Sequence, residues 1–266
     1  MKIDGNISKM NLMVMAGTRE GVEIIKKLAP YEYFNIVATT TTRYGAELAR
    51  SAGADDVISR ALTGEEMVEM IKTNKIDILV DATHPFAAEA TRNAIKSAKI
   101  TGITYIRFER SPIELPENDL IQKVHSFDEA VLKALKLSKG RILHLAGVMT
   151  LHYLTERIDP PRIVVRVLPS VYSVEKCLEL GLPVENIIAM QGTFSKDFNQ
   201  ALMKEYGVSL VITKESGATG GTPSKIKAAL ELGVPVILVM RPGISELQKE
   251  KVFNDVADLF QELADF

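Results

Sequence analysis

Short runs of β-type residues, separated by helix-length amphipathic segments, set the terms for what this chain can fold into. The runs are "NLMVMAG", "NIVATT", "DDVIS", "IDILVDA", "TYIRFE", "LIQKVH", "RILHLAG", "RIVVRVL", "NIIAMQG", "SLVITKE" and "PVILVMR". Between most of them lie helical patterns such as "REGVEIIKKLA", "GEEMVEMIKTN", "SFDEAVLKALKL" and "TPSKIKAALELG". Strands that alternate with helices at this spacing build βαβ units, and βαβ units build parallel sheet. The strands are too many for one compact sheet in 266 residues. The expectation is an α/β chain with two Rossmann-like domains, each a mainly parallel sheet flanked by helices.

The boundary falls in "ERSPIELPEND", residues 109–119, which carries two prolines and four acids and no apolar periodicity. It divides the chain into 1–110 and 111–266. The closing segment "SELQKEKVFNDVADLFQELADF" reads as one amphipathic helix with Leu247, Val252, Val256, Leu259 and Phe260 on one side. Which domain it joins is left open, as is exchange of an edge strand between the sheets.

Charge and cysteine usage narrow the partners. With 32 basic and 34 acidic residues, the net charge of −2 supplies no field for nucleic acid. Cys177 stands alone, and the histidines at 84, 125, 144 and 152 have no zinc spacing, so neither an internal disulfide nor a bound metal is expected. The N-terminal stretch reads as a first strand rather than a signal peptide, and no apolar run nears the ~20 residues of a membrane span. A cytoplasmic protein with no membrane partner is expected, as a monomer or weak homo-oligomer.

Candidate chemistry sits where strands end, because ligands of open α/β sheets bind outside the carboxyl ends of the strands. The first strand ends in "MAGTREG", with Gly17 and Gly21 before a helix, a turn that lets backbone amides approach a diphosphate. A plain turn capped by Thr18 is the other reading. The second strand ends in "ATTTTRYG". Where NAD-binding folds carry an acid, this chain has Thr40 among four threonines and then Arg43, which suits a 2′-phosphate and favours NADPH over NADH. Arg43 as an ordinary surface residue stands beside that reading. The fourth strand ends in "DATHPFAAEATRNA", where Pro85 is expected in the first helical turn with Thr83 or His84 at the cap. Asp81, Ala82, Thr83, His84, Pro85 and Phe86 are read as lining a cofactor, with His84 a candidate general acid. In the second half, "QGTFSKDFN" and "TKESGATGGTPSK" again join strands to helices, the latter with Thr222-Pro223 as cap and first turn. Arg107, Arg110, Arg166 and Arg241 lie at or near strand ends, where a guanidinium can grip a carboxylate.

Taken together, "GTREG", "DATHPFAAEATRNA", "YIRFERSP", "RVLPS", "ENIIAMQGTFS" and "SLVITKESGATGGTPSKIKAALELGVPVILVMRP" resemble the precorrin-6A reductase family of corrin-ring (cobalamin) biosynthesis. The resemblance runs from Gly17 to Pro242. It implies NADPH or NADH on the N-terminal domain, the C-terminal domain as substrate domain, and a polycarboxylate tetrapyrrole, precorrin-6A or its cobalt form, as substrate in an active-site cleft between the two. The reaction it implies is hydride transfer to one carbon of a macrocycle double bond, with protonation of the neighbouring carbon. Carried onto this chain, it places Gly17, Thr18 and Glu20 at the diphosphate. Gln191, Gly192, Thr193, Ser195, Lys214, Glu215, Ser216, Gly217, Gly220 and Gly221 then face the substrate, with Arg107, Arg110, Arg166 and Arg241. His84, Lys214 and Ser216 are the candidate catalytic groups. The competing classes are a non-catalytic nucleotide-sensing module and an NADP-dependent oxidoreductase of a small carbonyl. The second would carry a Tyr-x-x-x-Lys pair, and none is read at Tyr44, Tyr105, Tyr153, Tyr172 or Tyr206.

Overall fold

Strands that read as continuous apolar runs should be covered on both faces, which is the condition of a parallel sheet between helix layers. Ile78, Leu79 and Val80 meet that condition: each is at most 1% exposed. The structure, a computed structural model, describes residues 9–264 and 266; the first eight residues of the N-terminal stretch lie outside it. In chain order the first elements are β1 (Met10–Met15), α1 (Arg19–Leu28), β2 (Phe34–Thr40), α2 (Arg43–Ser51), β3 (Asp56–Ser59), α3 (Gly64–Thr73), β4 (Ile78–Asp81), α4 (Ala88–Thr101) and β5 (Thr104–Phe108). Then come β6 (Ile121–Val124), α5 (Phe127–Leu137), β7 (Arg141–His144), α6 (His152–Thr155), β8 (Ile163–Val167), α7 (Val171–Glu179), β9 (Ile187–Ala189), α8 (Lys196–Glu205), β10 (Val208–Lys214), α9 (Thr222–Glu231) and β11 (Val236–Val239). The chain closes with β12 (Lys251–Phe253) and α10 (Val256–Ala264).

These elements fall into two compact units, one running to Arg110 and resuming over Gly243–Phe266, the other Ser111–Pro242. The first holds a six-stranded sheet in the order β12-β5-β4-β1-β2-β3, parallel throughout. Successive residues of β1 point to opposite faces. Leu12 and Val14 pack with Ile24, Ile25 and Leu28 of α1 and Leu259 and Leu263 of α10. Met13 and Met15 pack with Met67 and Ile71 of α3 and Ala94, Ile95 and Ala98 of α4. The second unit repeats the plan in the order β6-β11-β10-β7-β8-β9, also parallel. Leu143, Val164 and Val211 there pack against Met203 of α8 and Ile226 and Ala229 of α9.

The closing segment is not one helix. Val252 and Phe253 are extended and pair with Arg107 and Phe108 of β5, and the Asp255 carboxylate takes the Ala257 N–H at 2.6 Å, so that α10 starts only after it. β12 and α10 therefore belong to the first unit, and the second ends at Pro242 rather than at the chain terminus. The strand that follows β5 in sequence, β6, lies in the second sheet beside β11. Among the described residues no helix is long and apolar enough to cross a membrane. Nor do any three of His, Cys, Asp and Glu gather closely enough to hold a metal ion.

Candidate active site

In the first sheet the order reverses between β1 and β4, and a crevice opens there beyond the carboxyl ends of the strands. Thr18 ties together the two strand ends that flank it. Its hydroxyl accepts the Gly21 N–H at 3.2 Å, capping α1, and donates to the Ala82 carbonyl at 2.9 Å, tying the β1 turn to the end of β4. Gly21 is required by packing, since a Cβ there would stand 2.7 Å from the Ala16 Cα. At Gly17 a Cβ would meet nothing nearer than the Thr83 Cα at 3.8 Å, so its absence leaves open backbone. Gly17, Thr40, Arg60, Thr83 and His84 line a cleft of about 200 Å³.

The sequence-predicted residues separate here. Arg43 opens α2 with its side chain 94% exposed and paired to Glu47 at 3.3 Å, outside the cleft lining. The guanidinium that does line it is Arg60, one residue past β3, held by Glu66 at 2.6 Å. Glu66 also closes a capping box with Thr63, and that backbone bond, then Arg60, holds its carboxyl below the usual range. Sequence reasoning missed Arg60, although the signal was present: a cation at a strand's carboxyl end, just before the "TGEE" helix start. Glu20 is 7% exposed and paired with Arg110 at 2.7 Å, which places both in an ion pair beside the turn.

Asp81 lies beneath the cleft rather than in its wall. Asp81 and Arg107 are both fully buried and meet at 2.8 Å. The Asp81 carboxylate also accepts the Tyr105 hydroxyl at 2.9 Å, the Thr83 N–H at 3.0 Å and the Thr83 hydroxyl at 2.7 Å. Arg107 donates to the Thr83 hydroxyl at 3.0 Å and to Glu109 at 3.2 Å. Burial, then the adjacent Asp81 carboxylate, pushes the Tyr105 phenol far above its ordinary value. Asp81 and Arg107 thus fix Thr83, and Thr83 and His84 reach the cleft. Pro85 is not in the first turn of α4. The Ala87 N–H returns to the His84 carbonyl at 2.7 Å, making Pro85 the second residue of a β-turn, and the Phe86 N–H is taken by His84 Nδ1 at 3.2 Å. The helix therefore starts three residues later, at Ala88, with no side-chain cap. With Nδ1 accepting, the neutral ring carries its proton on Nε2.

The second sheet reverses order between β7 and β10. The loop after β10 is shaped by Thr222, whose hydroxyl accepts the Ser216 N–H and donates to the Lys214 carbonyl, each at 3.1 Å. Thr222 is the first residue of α9 and Gly221 is the cap, a correction to the cap expected at Thr222: its hydroxyl is spent on the loop instead. Gly220 is obligatory, because a Cβ there would sit 2.4 Å from the Ser216 carbonyl oxygen. Ser216 is 7% exposed and hydrogen-bonded within the loop. Glu215 receives the Gly217 N–H at 3.0 Å and pairs with Arg241. Burial holds the Lys214 ammonium down to about 8 and the Arg166 guanidinium to about 10. Gln191, Gly192, Thr193 and Ser195 form an exposed loop after β9, and Ser195 caps α8 through the Phe198 N–H at 3.1 Å. Arg107 and Arg110 are in the first unit, Arg166 and Arg241 in the second. Arg107, Arg110 and Arg241 are each ion-paired.

Three further side chains escaped the sequence reading. His144, at the end of β7, is fully buried with Nε2 3.1 Å from the Gly147 carbonyl, and burial brings its pKa down to about 4. Tyr172 and Lys176 do stand at Tyr-x-x-x-Lys spacing. They lie on α7 of the second unit, with the Tyr172 hydroxyl on Met149 Sδ at 3.5 Å and Lys176 on Glu179 at 3.0 Å. Neither belongs to the crevice of the first sheet.

Residues 11–264 match the family model described as "Precorrin-6x reductase CbiJ/CobK". The cobalt-precorrin-6A reductase of Methanothermobacter thermautotrophicus is 46% identical over 96% of this chain and 84% of its own length. That of Methanocaldococcus jannaschii is 40% identical over 96% of this chain and 98% of its own. The solved structure of the CobK precorrin-6A reductase, 22% identical, superposes over 97% of each chain with a TM-score of 0.76, which establishes the fold.

Proposed function

The chain belongs to the precorrin-6x reductase family, and from that premise we propose how its two units divide the work. It is an oxidoreductase of cobalamin biosynthesis that reduces a carbon–carbon double bond of precorrin-6A, and the family reaction calls for a reduced nicotinamide cofactor. The relatives at 46% and 40% identity are named for the cobalt-bearing substrate, which supports cobalt-precorrin-6A as the form used here.

The first unit holds the dinucleotide. The observation that carries this is the cleft over Gly17: open backbone where a Cβ would fit, next to the start of a capped helix and at the sheet's switch point. When bound, the reduced nicotinamide supplies the hydride; the chain supplies alignment and a dry site. Thr18 fixes the turn, the Asp81–Arg107 pair fixes Thr83, and Thr83 and His84 border the place where the cofactor lies. The cleft lining contains no acid to read a ribose hydroxyl, and Arg60, not Arg43, is the guanidinium a 2′-phosphate would meet.

The second unit holds the macrocycle through the loops after β9 and β10, here residues 191–195 and 214–221. Lys214, whose ammonium is depressed to about 8, can hold and release a proton at Nζ near neutral pH, as the carbon beside the reduced one requires. Ser216 serves by keeping the glycine loop in shape.

Stopped-flow absorbance with the protein, NADPH or NADH, and either precorrin-6A or its cobalt form tests the reading. Loss of the reduced-cofactor band should match the change in the macrocycle spectrum, faster with the cobalt form. Binding of the dinucleotide without turnover of either macrocycle would return the chain to the class of nucleotide sensors.

A further inference from the structure

Two cations of the second unit, the buried Lys225 and the half-buried Arg166, have no carboxylate to neutralise them. Arg166 stacks its guanidinium 4.7 Å above the Phe194 ring and donates to the neutral Asn199 amide at 3.2 Å. Lys225, in the first turn of α9, is 8% exposed and donates to the Gly220 carbonyl at 3.3 Å. Among the described residues no ion pair involves either one. A charge taken out of water without a counter-charge costs the fold heavily. That cost registers at Lys225: burial first, then repulsion from Arg166 and Lys214, brings its ammonium down to about 8. The groups that face Lys225 from β8 and β10 are thus cations as well. The surrounding backbone adds to the field. The first amides of α9 have no side-chain cap, and a helix start carries partial positive charge. The loop over the cations is held in place, since Ser224 Oγ donates to the Phe194 carbonyl at 2.9 Å.

A folded chain keeps such a cluster where a ligand brings the missing anion, because stability and site function trade against each other. We propose that Arg166 and Lys225 form a carboxylate-binding recess of the second unit that receives one acid side chain of the macrocycle, with Lys225 as a specificity-determining residue. The inference deepens the reading that this unit meets a polycarboxylate tetrapyrrole and rests on it. Lys225 is invisible to motif reasoning because it looks like one lysine of a solvated helix face, as its neighbour Lys227 does.

The test titrates the full chain with uroporphyrin III, a fluorescent octacarboxylate tetrapyrrole whose binding needs no turnover, and measures KM with cobalt-precorrin-6A. Lys225→Met should weaken uroporphyrin binding about tenfold or more, the scale of one lost charge-assisted hydrogen bond, and flatten the salt dependence of Kd. KM for the macrocycle should rise by more than KM for the nicotinamide, and Lys225→Arg should recover most of the affinity. The ligand-free Lys225→Met protein should melt above the wild type, since it sheds an unneutralised buried charge. A lower melting temperature with unchanged uroporphyrin affinity would make Lys225 a structural lysine and overturn the recess, as would a wild type that does not bind uroporphyrin. A wild type that binds it yet fails to oxidise the cofactor with cobalt-precorrin-6A would sink the reductase reading and leave the recess standing.

Discussion

The residues that matter most are those whose environment differs most from water, and His144 is the sharpest case. It is fully buried and its pKa is brought down to about 4 by that burial. In the unfolded chain the ring takes up a proton as pH falls through its ordinary 6.5; in the folded chain it resists until about 4. Over that window the unfolded state binds more protons, so stability falls as pH drops from about 6.5 to about 4 and is unaffected by this group above 6.5. The full effect is on the order of 3 kcal/mol. His144→Gln cannot ionise, so its urea-unfolding free energy should fall less between pH 7.5 and pH 4.5 than that of the wild type. Equal slopes would mean that His144 is not buried neutral. Its place at a strand end was legible in "RILHLAG"; its burial was not, because a histidine after three strand residues reads equally as ligand-facing or packed.

Elements explain why the site residues stand where they do, and which were legible beforehand. The end of β4 was readable as a polar knot in "DATHPFA", because an acid after Ile78, Leu79 and Val80 breaks a buried run. Its partner was not readable: Arg107 lies on β5 and reaches Asp81 only because the two strands are neighbours in register. Replacing Asp81 with Ala should destabilise the protein by about 3 kcal/mol, the lower end for a broken buried pair, since Glu109 still stands at 3.2 Å from Arg107. Loosened Thr83 should also raise KM for the nicotinamide. Urea denaturation and steady-state kinetics read the two effects, and a variant as stable as the wild type would contradict the network. Helix starts were legible where a capping side chain exists, as at Thr18. They slipped where a polar group is spent elsewhere, as with the His84 ring on Phe86 and the Thr222 hydroxyl on the β10 loop. β12 was lost inside a helical pattern because Val252 and Val256 share a helical spacing, and only pairing with β5 holds residues 251–253 extended.

At the scale of the molecule, two sheets of matching strand order give the chain two sets of strand ends, one with a cleft over an open glycine turn and one furnished with cations and glycine-rich loops. The alternation of strands and helices announced both sheets. It could not announce that the last strand returns to the first sheet, because strand order depends on tertiary pairing rather than on local pattern. The absence of a nucleophile constellation in the sequence accords with a reaction whose reactivity resides in the cofactor. The central claim is that this chain moves a hydride from a reduced nicotinamide to carbon of the macrocycle. Turnover of cobalt-precorrin-6A with nicotinamide dinucleotide deuterated at the transferable position, followed by mass spectrometry of the corrinoid, tests it most directly. The account predicts one deuterium, bound to carbon and retained in ordinary water; a reduced macrocycle without the label, or oxidised cofactor with an unchanged macrocycle, would contradict it.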